Sequence, residues 1–360
     1  MFVKIAGVGG FVPPHVITNE RIVKAIPGWT PERIEEKTGI RERRHVWQFD
    51  DETGRAIPPG PIEDPGASVQ VAEPALRDAL AMANLQPAEL DGLIFTTCTP
   101  DQVNFSHDAM ILHKRLGMRP DAFAMRLDDG CGGAMFQLTL ARELILSGQR
   151  RTIAVVGANA FAAHIDRDVY SGKLPNKDGK AMGSFLSFYL FGDGGGAIIL
   201  RADESGPSGI LGSFAENEHI DLVIRRGGGG MWPAHPGRSE VTDSAFYVDG
   251  QLVASSFGPM LKKAIDGALE RSGLTRDQIK RFYFHQANKR VLDAFIDKEG
   301  IPRDRVPMHV ERYGNMVTAG TLVLLAEDMR DGNVQLGSGE PILMAALGAG
   351  AQTAAHVIRL

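Results

Sequence analysis

The chain has 360 residues, 43% of them apolar and 23% charged, with a formal net charge of −5. This is globular composition, long enough for two domains or one large one, and it excludes overall disorder. The mild acidity excludes a strong field for nucleic acid or an anionic membrane. In chain order, β-rich runs fall at 3–9 (VKIAGVG), 92–98 (GLIFTTC), 152–158 (TIAVVGA), 197–200 (AIIL), 281–284 (RFYF) and 341–347 (PILMAAL). Helical periodicity falls between them at 67–85, 131–148 and 256–274. This alternation predicts a layered α/β architecture.

A weak internal repeat adds to it. LAMANLQPAELDGLIF at 80–95 resembles LERSGLTRDQIKRFYF at 269–284, pairing Leu85 with Leu274, Leu90 with Ile279 and Leu93 with Phe282 at a constant offset of 189 residues. Two similar halves, divided as 1–204 and 205–360, explain the match; chance likeness of two amphipathic helices is the alternative. Long irregular stretches at 48–66, 164–184 and 225–237 read as insertions or surface loops.

Only Cys98 and Cys131 are cysteines. A disulfide scaffold and a thiolate-rich zinc site are excluded, and a reducing cytoplasm is the natural compartment. The ten histidines form no metal-ligand spacing. No apolar run reaches the roughly 18 residues of a membrane helix, and the N-terminus lacks the pattern of a signal peptide.

Four places carry chemistry. Cys131, in DDGCGGAM, stands where an apolar helix starts. Free N–H groups and the helix dipole there favour a thiolate, though a small buried apolar cysteine also fits. His285 ends a strand and opens a helix, where α/β sheets gather ligand groups; a satisfied core histidine is the other reading. Asn315 precedes an apolar helix and also fits a plain N-cap. Gly348 and Gly350 can turn a backbone N–H toward a ligand or simply make a tight turn.

Taken together, TGIRERR at 38–44, Cys131 with its glycines, FGDGGGA at 191–197, HQANKR at 285–290, RYGN at 312–315 and LGAGA at 347–351 resemble β-ketoacyl-acyl carrier protein synthase III, a condensing-enzyme family of the thiolase superfamily. The resemblance covers nearly the whole chain. It implies a thiolase-like duplicated five-layer α-β-α-β-α fold, a homodimer, and no cofactor beyond CoA or acyl carrier protein thioesters as substrates. It also implies that Cys131 takes the acyl group, and that the N–H groups of Cys131 and Gly350 form the oxyanion hole. His285 and Asn315 would then hydrogen-bond the oxygen of a malonyl thioester as CO2 leaves. Phe105 corresponds to an aromatic crossing the dimer into the partner's acyl pocket, and Asn288 to an asparagine ordering a water near His285. Arg290 and Lys298 correspond to a surface docking the acidic carrier protein or CoA phosphates, or else form a solvated helix face.

Departures from the pattern accompany the match. Where the family has a tryptophan four residues before a basic residue, this chain has Arg33 before Lys37, with Trp29 further upstream. That points to a carrier protein rather than CoA as donor. Met316 replaces the usual Thr, and the last loop reads GAGAQ. The expected function is decarboxylative condensation of an acyl thioester with a malonyl thioester in fatty acid or polyketide biosynthesis, by a specialised paralogue. The alternative is transfer of the acyl group to a second acyl chain, a hydroxyl or an amine. Degradative thiolases need a second C-terminal cysteine, which is absent, and chain-elongating synthases use two histidines where this chain has His285 and Asn315.

Overall fold

The computed structural model describes residues 1–26, 28–57, 66–102, 105–164, 174–175, 181–182, 189–218, 221–225 and 246–360. The loops expected at 164–184 and 225–237, and residues 58–65 of the stretch 48–66, therefore fall largely outside the described residues. In order, the main elements are β1 (Phe2–Phe11), α1 (Pro31–Thr38), α2 (Ala67–Ala83), β2 (Gly92–Thr96), α3 (Asp108–Leu116), β3 (Phe123–Leu127), α4 (Gly133–Leu146), β4 (Thr152–Asn159) and β5 (Gly194–Asp203). They continue with β6 (Gly209–Asn217), α5 (Gly250–Ser272), β7 (Arg281–Phe284), α6 (Lys289–Glu299), α7 (Thr318–Arg330), β8 (Pro341–Leu347) and β9 (Gln352–Arg359).

The nine strands hydrogen-bond in the order β7-β8-β9-β6-β1-β5-β4-β2-β3. β1 and β6 meet in parallel at Val3 and Gly209. Outward from that junction both wings repeat one pattern. On one side β1–β5 and β5–β4 are antiparallel and β4–β2 parallel. On the other, β6–β9 and β9–β8 are antiparallel and β8–β7 parallel. Helices α2 and α5 cover the outer faces of the two wings, while α4 and α7 touch strands of both and lie between them. The result is five layers, α-β-α-β-α.

The repeated sequence occupies equivalent places in the two wings. α2 ends at Asn84 and α5 at Gly273, both left-handed. Each is followed by a one-turn 3-10 helix with reciprocal capping, Gln86 with Glu89 and Thr275 with Gln278. The strands β2 and β7 come next. Glycines of β1 and β5 let α2 approach closely: a Cβ on Gly9 or Gly195 would lie 2.1 and 2.0 Å from the carbonyl oxygens of Ala75 and Val71.

Strands at 123–127, 209–217 and 352–359 and helices at 31–38 and 108–116 carry no clear pattern in the sequence. β6 and β9 mix small and polar residues because neighbours satisfy them. His356 is fully buried, with Nε2 2.7 Å from the Met135 carbonyl oxygen and Nδ1 2.8 Å from Ser213 Oγ.

A buried ion pair joins α7 to β7. Asp328 accepts two bonds from the Arg281 guanidinium, at 2.9 and 3.1 Å, and one from Tyr283 Oη at 2.9 Å. Asp328→Ala strands Arg281 and Tyr283, together with Asn333 Nδ2, which donates to Asp328 Oδ1 at 3.0 Å, and is expected to cost about 3–5 kcal/mol of stability. Chemical denaturation of the variant checks this; a midpoint like that of the parent would show the pair to be dispensable.

Candidate active site

Cys131 follows β3 on a one-turn 3-10 helix, Gly130–Gly132, and α4 starts only at Gly133. Gly130 has φ 55°, which turns the chain into the helix. The cysteine opens onto a cavity of about 330 Å³. Cys98, Asp128, Asp129 and Gln352 give the cavity a polar side; Phe161, Phe191, Val223 and Val317 give it an apolar one.

Burial opposes the thiolate expected at this position. The Cys131 backbone N–H works toward it, but burial outweighs that N–H, the Asp128 charge adds to the burial, and the thiol is pushed up to about 12. Alkylation of Cys131 by iodoacetamide should therefore accelerate about tenfold per pH unit from pH 7 to 9, followed by peptide mass mapping. A rate that levels off by pH 8 would reveal an activating partner.

His285 follows β7, its N–H donating to the Ala345 carbonyl at 2.9 Å. The residue is 3% exposed, and its Nδ1 is buried without a hydrogen-bond partner among the described residues. Burial pulls the imidazole down to about 4, against a weaker opposing hydrogen bond at the Val317 backbone. The ring is thus neutral at pH 7 and can donate from one nitrogen.

Asn315 is buried and not the cap of α7; Val317 holds that place. Its N–H donates to the Leu190 carbonyl at 2.8 Å, and its carbonyl accepts from Gly192 at 3.0 Å. The side-chain Oδ1 accepts the Val317 N–H at 2.8 Å. That bond assigns the carboxamide, so the free end is the Nδ2 donor. Val317 therefore touches both His285 and Asn315 through its backbone while lining the Cys131 cavity. Phe191, also on the cavity wall, pairs with Asn315 by a β-bridge.

Gln286 went unassigned at the sequence level. It is 3% exposed. Its Oε1 accepts from His309 and Val310 N–H, both at 3.0 Å, and its Nε2 donates to the Pro307 carbonyl at 2.8 Å. It ties the residue after His285 to the segment leading to Asn315. Its signal in the sequence is its place in HQANKR, directly after His285.

Other candidates stand apart from the cavity. The Gly350 N–H is held at 2.7 Å by Gln352 Oε1, whose Nε2 donates to the Asp129 carbonyl at 3.0 Å; its neighbour Ala349 lines the cavity. Asn288 spends its carboxamide on structure. Oδ1 caps α6 at Arg290 and Val291, and Nδ2 donates to the Lys37 carbonyl at 3.2 Å. Arg290 donates to the carbonyls of Glu36 and Glu35 at the end of α1. It also borders, with Lys298, a separate groove between α5 and α6. Lys37 and Arg33 are exposed on α1, and Arg33 lies over the Trp29 ring at 4.4 Å. Phe105 is 89% exposed with φ 53°. Among the described residues no cluster suits a metal ion, and no helix is long and apolar enough to cross a membrane.

Residues 125–218 match the family model described as 3-oxoacyl-[acyl-carrier-protein (ACP)] synthase III, and residues 269–360 match the model of its C-terminal part. The chain is 32% identical to the β-ketoacyl-[acyl-carrier-protein] synthase III of Caldanaerobacter subterraneus subsp. tengcongensis, over 99% of this chain and 97% of that one. Among solved structures, the synthase III of Thermus thermophilus is 27% identical with a TM-score of 0.80, covering 99% of each chain. The priming β-ketosynthase from the R1128 polyketide pathway is 27% identical with a TM-score of 0.77, covering 100% of this chain and 96% of that one. Sequence and fold agree, and the chain belongs to the β-ketoacyl-acyl carrier protein synthase III family: a thiolase-fold condensing enzyme and an acyltransferase of that type.

Proposed function

We propose that the protein condenses an acyl thioester with a malonyl thioester through an acyl-Cys131 intermediate. The observation that carries this reading is the pair of donors joined at Val317: a neutral buried His285 and an Asn315 carboxamide oriented to donate. A thioester enolate is too basic to form freely at pH 7, and two fixed donors in a dry site are what lowers its energy. In sequence, Cys131 sulfur attacks the acyl thioester and expels its thiol. The malonyl thioester then loses CO2 while His285 and Asn315 hold its carbonyl oxygen. The resulting carbanion attacks the acyl-cysteine, releases the Cys131 thiolate and leaves a β-ketoacyl thioester. The oxyanion of each attack is held by the Cys131 N–H and by the Gly350 N–H, which exchanges Gln352 Oε1 for substrate.

Labelled CO2 release from a malonyl thioester, dependent on prior acylation of Cys131, tests the reading. Acylation with no release, and ester or amide formation when a hydroxyl or amine is offered, would replace it by the second reading of simple acyl transfer. One observation favours that second reading: Asp128, whose carboxyl is pushed up by burial, lines the cavity and is a base that such an acceptor needs.

The rest of the reading is coarser. Exposed Phe105 and Met110, with Met125 on the open edge strand β3, support a homodimer built on that face. Arg290 and Lys298 border the groove assigned to an acidic carrier protein. Arg33, stacked on Trp29 rather than open to a base, supports a carrier protein over CoA as donor, and with it a specialised role in fatty acid or polyketide synthesis. The two halves are taken as 1–204 and 205–360.

A further inference from the structure

Val317 stands in a conformation that its residue type resists. Its φ is 52° and ψ −126°, the first central position of a mirror-image turn, where glycine belongs and a β-branched side chain is a genuine outlier. The turn is held on both sides. Asn315 is fixed by backbone bonds to Leu190 and Gly192, and Thr318 Oγ1 accepts the Ala134 N–H at 2.9 Å from α4, the helix that follows Cys131. The surrounding structure therefore imposes the dihedral angles whatever residue occupies 317, and glycine would adopt them without strain. Valine adds only an isopropyl group. That group is 2% exposed and lies on the wall of the Cys131 cavity, on the residue whose backbone His285 and Asn315 both hydrogen-bond.

We propose that Val317 is a specificity-determining residue, kept at a conformational cost because its isopropyl group limits the bulk of the acyl group that Cys131 carries beside the His285–Asn315 pair. The acyl groups favoured are those slim next to the thioester carbonyl, straight chains rather than α-branched ones. The inference rests on the reading of Cys131 as the acyl acceptor.

Two variants test it, Val317→Gly and Val317→Ala, with matched straight and α-branched acyl thioesters. Rates of Cys131 acylation are read by intact mass, and melting temperatures are recorded alongside. The expected result is a rise of fivefold or more in the branched-to-straight rate ratio for both variants, with Val317→Gly melting no lower than the parent. A side chain kept only for folding would lower the melting temperature and leave the ratio within twofold, which overturns the proposal. An unchanged ratio at unchanged stability overturns it equally. Should the parent protein itself take no acyl mass from any thioester, the reading of Cys131 fails, and this inference with it.

Discussion

Cys131→Ser will abolish the acyl-enzyme. Incubated with an acyl thioester, the parent gains one acyl mass and the variant gains none, with turnover reduced about 10³-fold or more. The expectation is sharper than usual because a second thiol shares the cavity. Cys98 Sγ is tied to Asn159 Oδ1 at 3.2 Å, and burial pushes its thiol well above the ordinary value, with the Asp128 charge adding to the effect. Cys98 follows β2 and opens no helix, whereas Cys131 stands at the start of one, so Cys98→Ser should keep the acyl mass. An adduct that survives Cys131→Ser and vanishes in Cys98→Ser would move the chemistry to the other cysteine.

Asn315→Ala separates the two halves of the reaction. Acylation of Cys131 should continue within about threefold, while CO2 release from a malonyl thioester falls about 10²–10³-fold, or roughly 3–4 kcal/mol of lost transition-state stabilisation. His285→Ala should do the same, and the double variant should lose less than the sum, because both donors serve one oxygen. Equal damage to both half-reactions would mean that these residues hold the fold rather than the enolate. The pH profile gives an independent check. With His285 lowered to about 4, the ring is already a neutral donor above pH 5, so condensation should show no inflection from this histidine between pH 5 and 8.

The same shift bears on stability. A histidine whose folded value is depressed binds its proton first in the unfolded chain, so stability is lost as the pH falls below about 6.5 toward 4. His356, also lowered to about 4 by burial, and His309, lowered by burial against the pull of Glu327, act in the same direction.

Much of the fold was legible because it is written in short-range physics. The runs at 281–284 and 341–347 reappear as β7 and β8 with the same limits, and the run at 67–85 as α2, two residues shorter. Their apolar periodicity and left-handed ends act over four or five residues. The repeat was legible for the same reason, since both copies share a helix end, a capped 3-10 turn and a strand. β6 and β9 were not, because small and polar residues read as strand only once α4 and the neighbouring strand supply their partners.

By itself the sequence determined the alternation of elements and the duplicated plan, and it carried the family resemblance in the motifs around Cys131, HQAN and RYGN. Tertiary structure alone decided the chemistry of the site. Desolvation pushes the Cys131 thiol up against the pull of the helix start, and bonds from α6 to α1, about 250 residues apart, gave Asn288 and Arg290 structural duties. Only packing reveals that Val317, on the cavity wall, bears a strained turn whose backbone both donors hydrogen-bond. Periodicity and caps depend on neighbours along the chain, whereas burial, charge and imposed dihedral angles depend on atoms that meet only when it is folded.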